Sequence, residues 1–151
     1  MHAVAVATAF SVLAGCAYRA GSFDSVNQDF AGSHTRAGCL DLAIDRRPDL
    51  DRRPVIAYAF GNTCEEPAMV DLANVVVVAR SGESIEQLKP YDPEQEIVPR
   101  EIDARAVGGE AIAYMTAAPP TQLCVDAASI AGAGVAEPRW MCFAAAGKET
   151  P

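Results

Sequence analysis

Histidine is scarce in this chain: only His2 and His34 carry an imidazole. Ser-His-Asp and Cys-His nucleophilic sites need such a base. One histidine lies at the extreme N-terminus and the other in a Ser- and Gly-rich stretch, so the body of the chain lacks one. Basic residues are also few, twelve against twenty acidic ones, giving a formal charge of −8 and a pI near 4.6. Nucleic acid demands a basic face, and so does charge-driven docking to anionic lipid; neither partner fits this balance. No apolar run reaches the roughly 20 residues a spanning helix needs. G-x-S-x-G, phosphate-loop and dinucleotide fingerprints are all missing. Glu65 and Glu66 are adjacent, hence on opposite sides of an extended chain, and cannot serve as a paired acid and base. Asp45, Asp49 and Asp51 could offer oxygens to calcium, but Arg46, Arg47, Arg52 and Arg53 lie among them and oppose a cation. Trp140 beside Arg139 reads as a core or rim aromatic stabilising the last strand. These residues assign no catalytic group, no metal, no cofactor and no ligand-binding position.

The N-terminus is more specific. Ala3 to Leu13 is apolar apart from Thr8 and Ser11, about eleven residues, the size of a signal-peptide core. Only Met1 and His2 precede it. It ends in Leu13-Ala14-Gly15-Cys16, a branched apolar residue, two small ones and a cysteine. This resembles the lipobox of bacterial lipoproteins. The resemblance covers the first sixteen residues and implies a signal peptide over 1–15, cleavage before Cys16, and diacylglyceryl and palmitate chains on Cys16 as a membrane anchor. Each buried methylene contributes about 0.8 kcal/mol, so two or three chains hold firmly. In Gram-negative lipoproteins an Asp after the cysteine favours inner-membrane retention. Ala17 holds that place here, which points to the outer membrane, facing the periplasm or the cell surface. Residues 16–38, rich in Ser, Gly and Ala, show neither helical nor strand periodicity and read as a tether.

The chain is half apolar, as globular domains are, and its length suits one domain. Ala abundance and the Arg excess over Lys read as codon bias, so Ala is weak support for helix. Leu40, Leu42 and Ile44 alternate with Asp41 and Ala43, and Ile56, Tyr58 and Phe60 share one face after Pro54; period two means strand. Asp45 to Arg53 reads as a polar loop. Val75 to Val78 suggests a strand covered on both faces. Ser81 to Arg100, with Pro90, Pro93 and Pro99, reads as a long irregular connection with room for one short strand. Ile102, Ala104 and Ala106 alternate again, Gly108-Gly109 suits a tight turn, and Ala111 to Thr116, Leu123 to Asp126 and Trp140 to Phe143 complete the set. Ala127 to Gly134 has room for one helical turn. The expectation is an all-β domain over 39–146, an antiparallel β-sandwich of about seven strands, immunoglobulin-like in general architecture only, with a tail at 147–151.

With Cys16 acylated, Cys39, Cys64, Cys124 and Cys142 remain, an even set in an exported chain. A four-cysteine zinc site would ask for a C-x-x-C pair, and there is none. Of the three connectivities, symmetry favours Cys39–Cys64 and Cys124–Cys142. A hairpin of the last two strands centres on Ala133, equidistant from Cys124 and Cys142, and the first pair ends two neighbouring strands. Cys39 shares its face with Asp41, and Cys124 with Asp126, which suggests outer-face or edge positions. Two functions fit. One is a membrane-anchored envelope module that binds a protein or glycan, or supports an assembly, without catalysis. The other is a small envelope enzyme or ligand carrier using carboxylate and Arg side chains. The anchor is directly testable: wild-type protein from a bacterial host should carry acyl groups on Cys16 by intact mass, and Cys16→Ser should abolish detergent partitioning. An unmodified wild-type Cys16 contradicts the lipobox reading.

Overall fold

The computed structural model describes residues 17–132 and 137–144. The expected signal peptide 1–15, Cys16, Ala133 and the tail 147–151 lie outside the described residues. Ten strands are present among the described ones: β1 Ser33–Ala37, β2 Leu40–Leu50, β3 Arg53–Asn62, β4 Ala68–Val70, β5 Val77–Ser81, β6 Ser84–Pro90, β7 Arg100–Ile102, β8 Val107–Met115, β9 Gln122–Asp126 and β10 Trp140–Ala144. One 3-10 turn, Ala127–Ala131, follows β9, where the Asp126 carboxylate accepts the Ala128 N–H. No helix among the described residues is long and apolar enough to cross a membrane.

The chain is therefore all-β and antiparallel. Eight strands form one continuous sheet in the order β1-β2-β3-β8-β6-β5-β9-β10, and β4 pairs with β7 in a separate ribbon. The expected sandwich corresponds to the two four-stranded halves of this sheet, folded over each other. They are not separate sheets, because β6 pairs with β8 at Lys89↔Met115 and Pro90↔Tyr114. Alternation explains the fold-over. Leu42, Ile44, Ile56, Tyr58, Phe60 and Ile112 of one half and Val77, Leu88, Leu123 and Val125 of the other point into one shared core. Each such side chain contributes roughly 1.5–3 kcal/mol when fully buried. The Tyr58 and Tyr114 hydroxyls meet in this core at 2.6 Å. Burial, then each other's proximity, pushes the Tyr58 hydroxyl well above its ordinary pKa; burial likewise raises Tyr114. Across the remaining opening, the Arg139 guanidinium donates to the Arg36 carbonyl and to Thr35 Oγ1, drawing the β10 side toward β1.

Several expectations change. Asp45 to Arg53 is not a loop: β2 and β3 run through it as a hairpin, with an irregularity between Arg47 and Leu50. The charges pair with one another, Arg47 with Asp45 at 3.1 Å and Arg46 with Asp49. Arg46 lies on the core face, where it also donates to the Arg47 and Val55 carbonyls. The two-residue loop is Asp51-Arg52, both at positive φ (49° and 67°), the requirement of a type I′ turn met without glycine. Gly108-Gly109 is not a turn either; both lie inside β8. Gly108 stands opposite Phe60, and a β-carbon there would enter the Phe60 ring. The turn falls earlier, with Arg105 at φ 59° after β7, so Ala104 and Ala106 are not strand residues. Val75 to Val78 enters β5 only at Val77, between β6 and β9 in the sheet interior.

The supposed tether is folded as well. Tyr18 and Phe30 are buried against Ala43 and Ala59 on the outer face of β2 and β3, with Phe23 and Val107 beside them. The Phe23 ring stacks on His34 with centroids 4.1 Å apart, and His34 Nε2 lies 2.7 Å from the Phe30 carbonyl. Isolated rings dock here one at a time on a bed of small residues. Such packing leaves no period in the sequence, which is why the segment reads as a linker. Gly108→Ala tests the strand assignment. Forcing a methyl group into the Phe60 ring should cost roughly 1–3 kcal/mol by overpacking, measured by urea unfolding; a neutral or stabilising effect would contradict it.

Candidate functional site

The N-terminal end of the described chain is fixed by one carboxylate. Asp41 sits on β2 and is 1% exposed. Its Oδ2 accepts the Tyr18 hydroxyl at 3.0 Å and the Gly21 N–H, and its Oδ1 accepts Arg36 Nε at 2.8 Å. Tyr18 N–H also donates to the Arg105 carbonyl at 2.6 Å. Gly61 of β3 is required beside this knot, since a β-carbon would enter the Tyr18 ring. Burial alone would raise the Asp41 pKa; the Arg36, Gly21 and Tyr18 bonds outweigh it and leave it below the ordinary value. Burial, then the bond to Asp41, raises the Tyr18 pKa. The Asp41 position was expected on an outer face or edge. It is on the outer face of the sheet, as expected, but the folded N-terminal segment covers it.

The disulfides Cys39–Cys64 and Cys124–Cys142 are both formed. The first joins the β1–β2 turn to the chain leaving β3, at the same end as Asp41; Thr63 N–H and Oγ1 donate to the Cys39 carbonyl there. The second links residues directly opposed in the β9–β10 pair. Loops of 25 and 18 residues give each bridge a stabilisation of about 3–4 kcal/mol in the chain-entropy account. Asp126, on the strand face of Cys124 that was read as an outer-face or edge position, is buried; its Oδ1 accepts both Ala128 N–H and Arg139 N–H. Trp140 is half exposed on edge strand β10. Among the described residues, no group of three or more His, Cys, Asp and Glu is arranged to hold a metal.

The opposite end of the strands carries a groove of about 490 Å³. Pro48 and Leu50 of the β2–β3 hairpin form one side, Tyr91 and Ile97 the other, and Glu110 and Ala111 of β8 the floor. A second hollow of about 400 Å³ continues from Glu110 and Ala111 across Ala57 and Ala59 to Asp29 and Arg47. The hairpin side is buttressed by Arg53, whose guanidinium lies 3.8 Å from the Tyr91 ring centroid. Two of the four carboxylates lining the groove are committed. Asp92 Oδ1 and Oδ2 accept the Glu96 and Ile97 N–H groups, and Glu110 pairs with Arg100 at 3.3 Å. Sequence reading missed this place. Tyr91 and Glu110 lie on separate elements, and the only local signal is the proline-rich stretch that bends the chain away from β8.

No known protein family matches this chain, and no curated protein does. Among solved structures the chain is similar to the crystal structure of the yjhA protein from Bacillus subtilis, at 11% identity and a TM-score of 0.46, over 68% of this chain and 83% of that one.

The Asp41 knot makes a pH prediction. A carboxylate whose folded pKa is depressed contributes stability that is fully present above its unfolded value, about 3.9, and lost as pH falls through the folded value. Asp41→Asn should therefore cost about 1.5–3 kcal/mol at neutral pH, the worth of hydrogen bonds to a charged group. The gap to wild type should shrink as pH falls below about 4. Urea unfolding at pH 7 and pH 3 measures it; a gap independent of pH would contradict the assignment.

Proposed function

We propose that this chain is a lipid-anchored protein of the bacterial envelope whose β domain binds a protein or glycan partner and performs no chemistry. The observation that carries the reading is the separation of its two ends. Tyr18 is fixed to Asp41 at one end of β2 and β3. The lipobox cysteine precedes Tyr18 by two residues, a covalent reach of about 7.6 Å at 3.8 Å per Cα step. Acyl chains on Cys16 would thus hold this end directly at the bilayer. The groove beside Leu50 and Tyr91 lies at the other end of the same strands. β2 runs from Leu40 to Leu50, which at about 3.4 Å per residue raises the groove roughly 30 Å from the anchored end. One end is suited to holding on and the other to recognition.

Two further observations support it. The bridges Cys39–Cys64 and Cys124–Cys142 suit an oxidising compartment such as the periplasm. His34 is committed to Phe23 and the Phe30 carbonyl, and the Asp92 and Glu110 carboxylates are tied to backbone N–H groups and Arg100, so these groups serve structure. Photocrosslinking in the native envelope tests the reading. A benzophenone side chain at Leu50 should yield a discrete adduct with a protein or glycan, and one at Glu65, on the anchored end, should not. Turnover of a substrate by the purified protein, abolished by an Asp or Glu substitution that leaves it folded, would overturn it.

A further inference from the structure

We infer that the open edge of β8 at Gly109–Ala111 is a strand-addition site for an extended, basic peptide segment of a partner protein. This deepens the binding-module reading and rests on it, but not on the lipid anchor. Antiparallel ladders alternate, so the backbone groups of one residue face one neighbour and those of the next face the other. The register fixes which is which here. Tyr91 N–H donates to the Ala113 carbonyl at 2.8 Å, so Ala113 faces β6 and not β3. On the β3 side, Asn62 N–H donates to the Ala106 carbonyl and Thr63 N–H to the Cys39 carbonyl, which gives the same parity. Gly108, Glu110 and Ile112 therefore bond β3, while Gly109 and Ala111 present both N–H and C=O away from it.

Continuation of β6 would cover those groups, and it does not continue. Tyr91 is the last residue to bond β8; Pro93, next in register opposite Ala111, has no N–H to give. The chain instead turns at Gln95 (φ 56°), held by the Asp92 carboxylate on Glu96 and Ile97 N–H. Among the described residues nothing pairs with the Gly109 and Ala111 backbone. The departing 91–97 segment leaves the 490 Å³ groove open alongside Ala111 and Ala113. Unpaired edge groups next to such a space are what strand addition uses, with main-chain bonds giving affinity and flanking side chains giving choice. Four carboxylates line the groove, Asp92, Glu94, Glu96 and Glu110, and no Lys or Arg does. Asp92 is held by the Glu96 and Ile97 N–H groups, Glu110 pairs with Arg100 and Arg53 stacks on Tyr91, which leaves Glu94 and Glu96 without an ion pair among the described residues. Charge complementarity therefore selects Lys- or Arg-bearing segments, with alternate apolar residues meeting Leu50 and Tyr91.

Amide hydrogen exchange by NMR on the full chain, with a blocked peptide of alternating Val and Lys as probe, tests this. In the free protein, Gly109 and Ala111 amides should exchange at least tenfold faster than those of Glu110 and Ile112. The Val-Lys peptide should slow both by tenfold or more and should bind at least tenfold tighter than its Val-Glu counterpart. Ala111→Pro, which removes an N–H not used by β3, should weaken binding tenfold; if that variant unfolds, the exchange data decide. Protected Gly109 and Ala111 amides in the free protein, or equal binding of both peptides, would overturn the site. A partner captured in the envelope that leaves these two amides unchanged would also overturn it, while leaving the binding-module reading intact.

Discussion

Two backbone pairs, Lys89↔Met115 and Pro90↔Tyr114, hold the two halves of the sheet together, and the rest of the molecule is arranged around that seam. Without it the halves would be two sheets with four edges. With it they form a single sheet whose fold-over creates the core. The seam is short because Pro93, beyond Tyr91, has no N–H to extend it at one end and β8 ends at Met115 at the other. Its weakness as a ladder is offset from beneath by the shared core, where Tyr58, Phe60 and Ile112 of one half pack with Val77, Leu88, Leu123 and Val125 of the other. Within one half, the Tyr58 hydroxyl of β3 and the Tyr114 hydroxyl of β8 satisfy each other in that core; a buried hydroxyl without a partner costs about 1–3 kcal/mol. The same shortness exposes the adjoining stretch of β8, which links the architecture to the proposed recognition.

The far end of the strands is governed by a different economy. Ala43, Ala59 and Gly61 leave the outer face of β2 and β3 shallow, and Tyr18 and Phe30 fill it. Asp41 lies under that cover as a buried charge, costly alone and acceptable because Arg36, Gly21 and Tyr18 satisfy it. The Cys39–Cys64 bridge closes this end. In the proposed function the fixed position of Tyr18 governs how close the domain stands to lipid.

Much of the β framework was legible in the sequence because it is written in local alternation. Ile56, Tyr58 and Phe60 face one way whatever surrounds them, and Cys124 and Cys142 are opposed because antiparallel pairing preserves symmetry about a hairpin centre. What stayed hidden depends on residues distant in sequence. Gly108 reads as turn chemistry until the Phe60 ring is placed beside it. Asp45 to Arg53 reads as a loop because the pairing of its charges, and the positive φ at Asp51 and Arg52, are invisible without the hairpin. The N-terminal segment reads as a tether because Tyr18, Phe23 and Phe30 find their places singly. The candidate site was the least legible part: which β8 groups are open depends on where β6 departs, a matter of register that composition does not carry.

In the proposed function, acyl chains on Cys16 would hold the protein at one end, with its folded body seated against the membrane. A flexible segment spanning 16–38 would stand the domain off by roughly 25 Å root-mean-square, whereas a fold that begins at Tyr18 allows less than about 8 Å. Neutron reflectometry of the acylated protein on a supported bilayer measures this gap directly. The account predicts protein density beginning at the headgroups without an intervening water layer. A hydrated layer some 20 Å deep between headgroups and protein would contradict it.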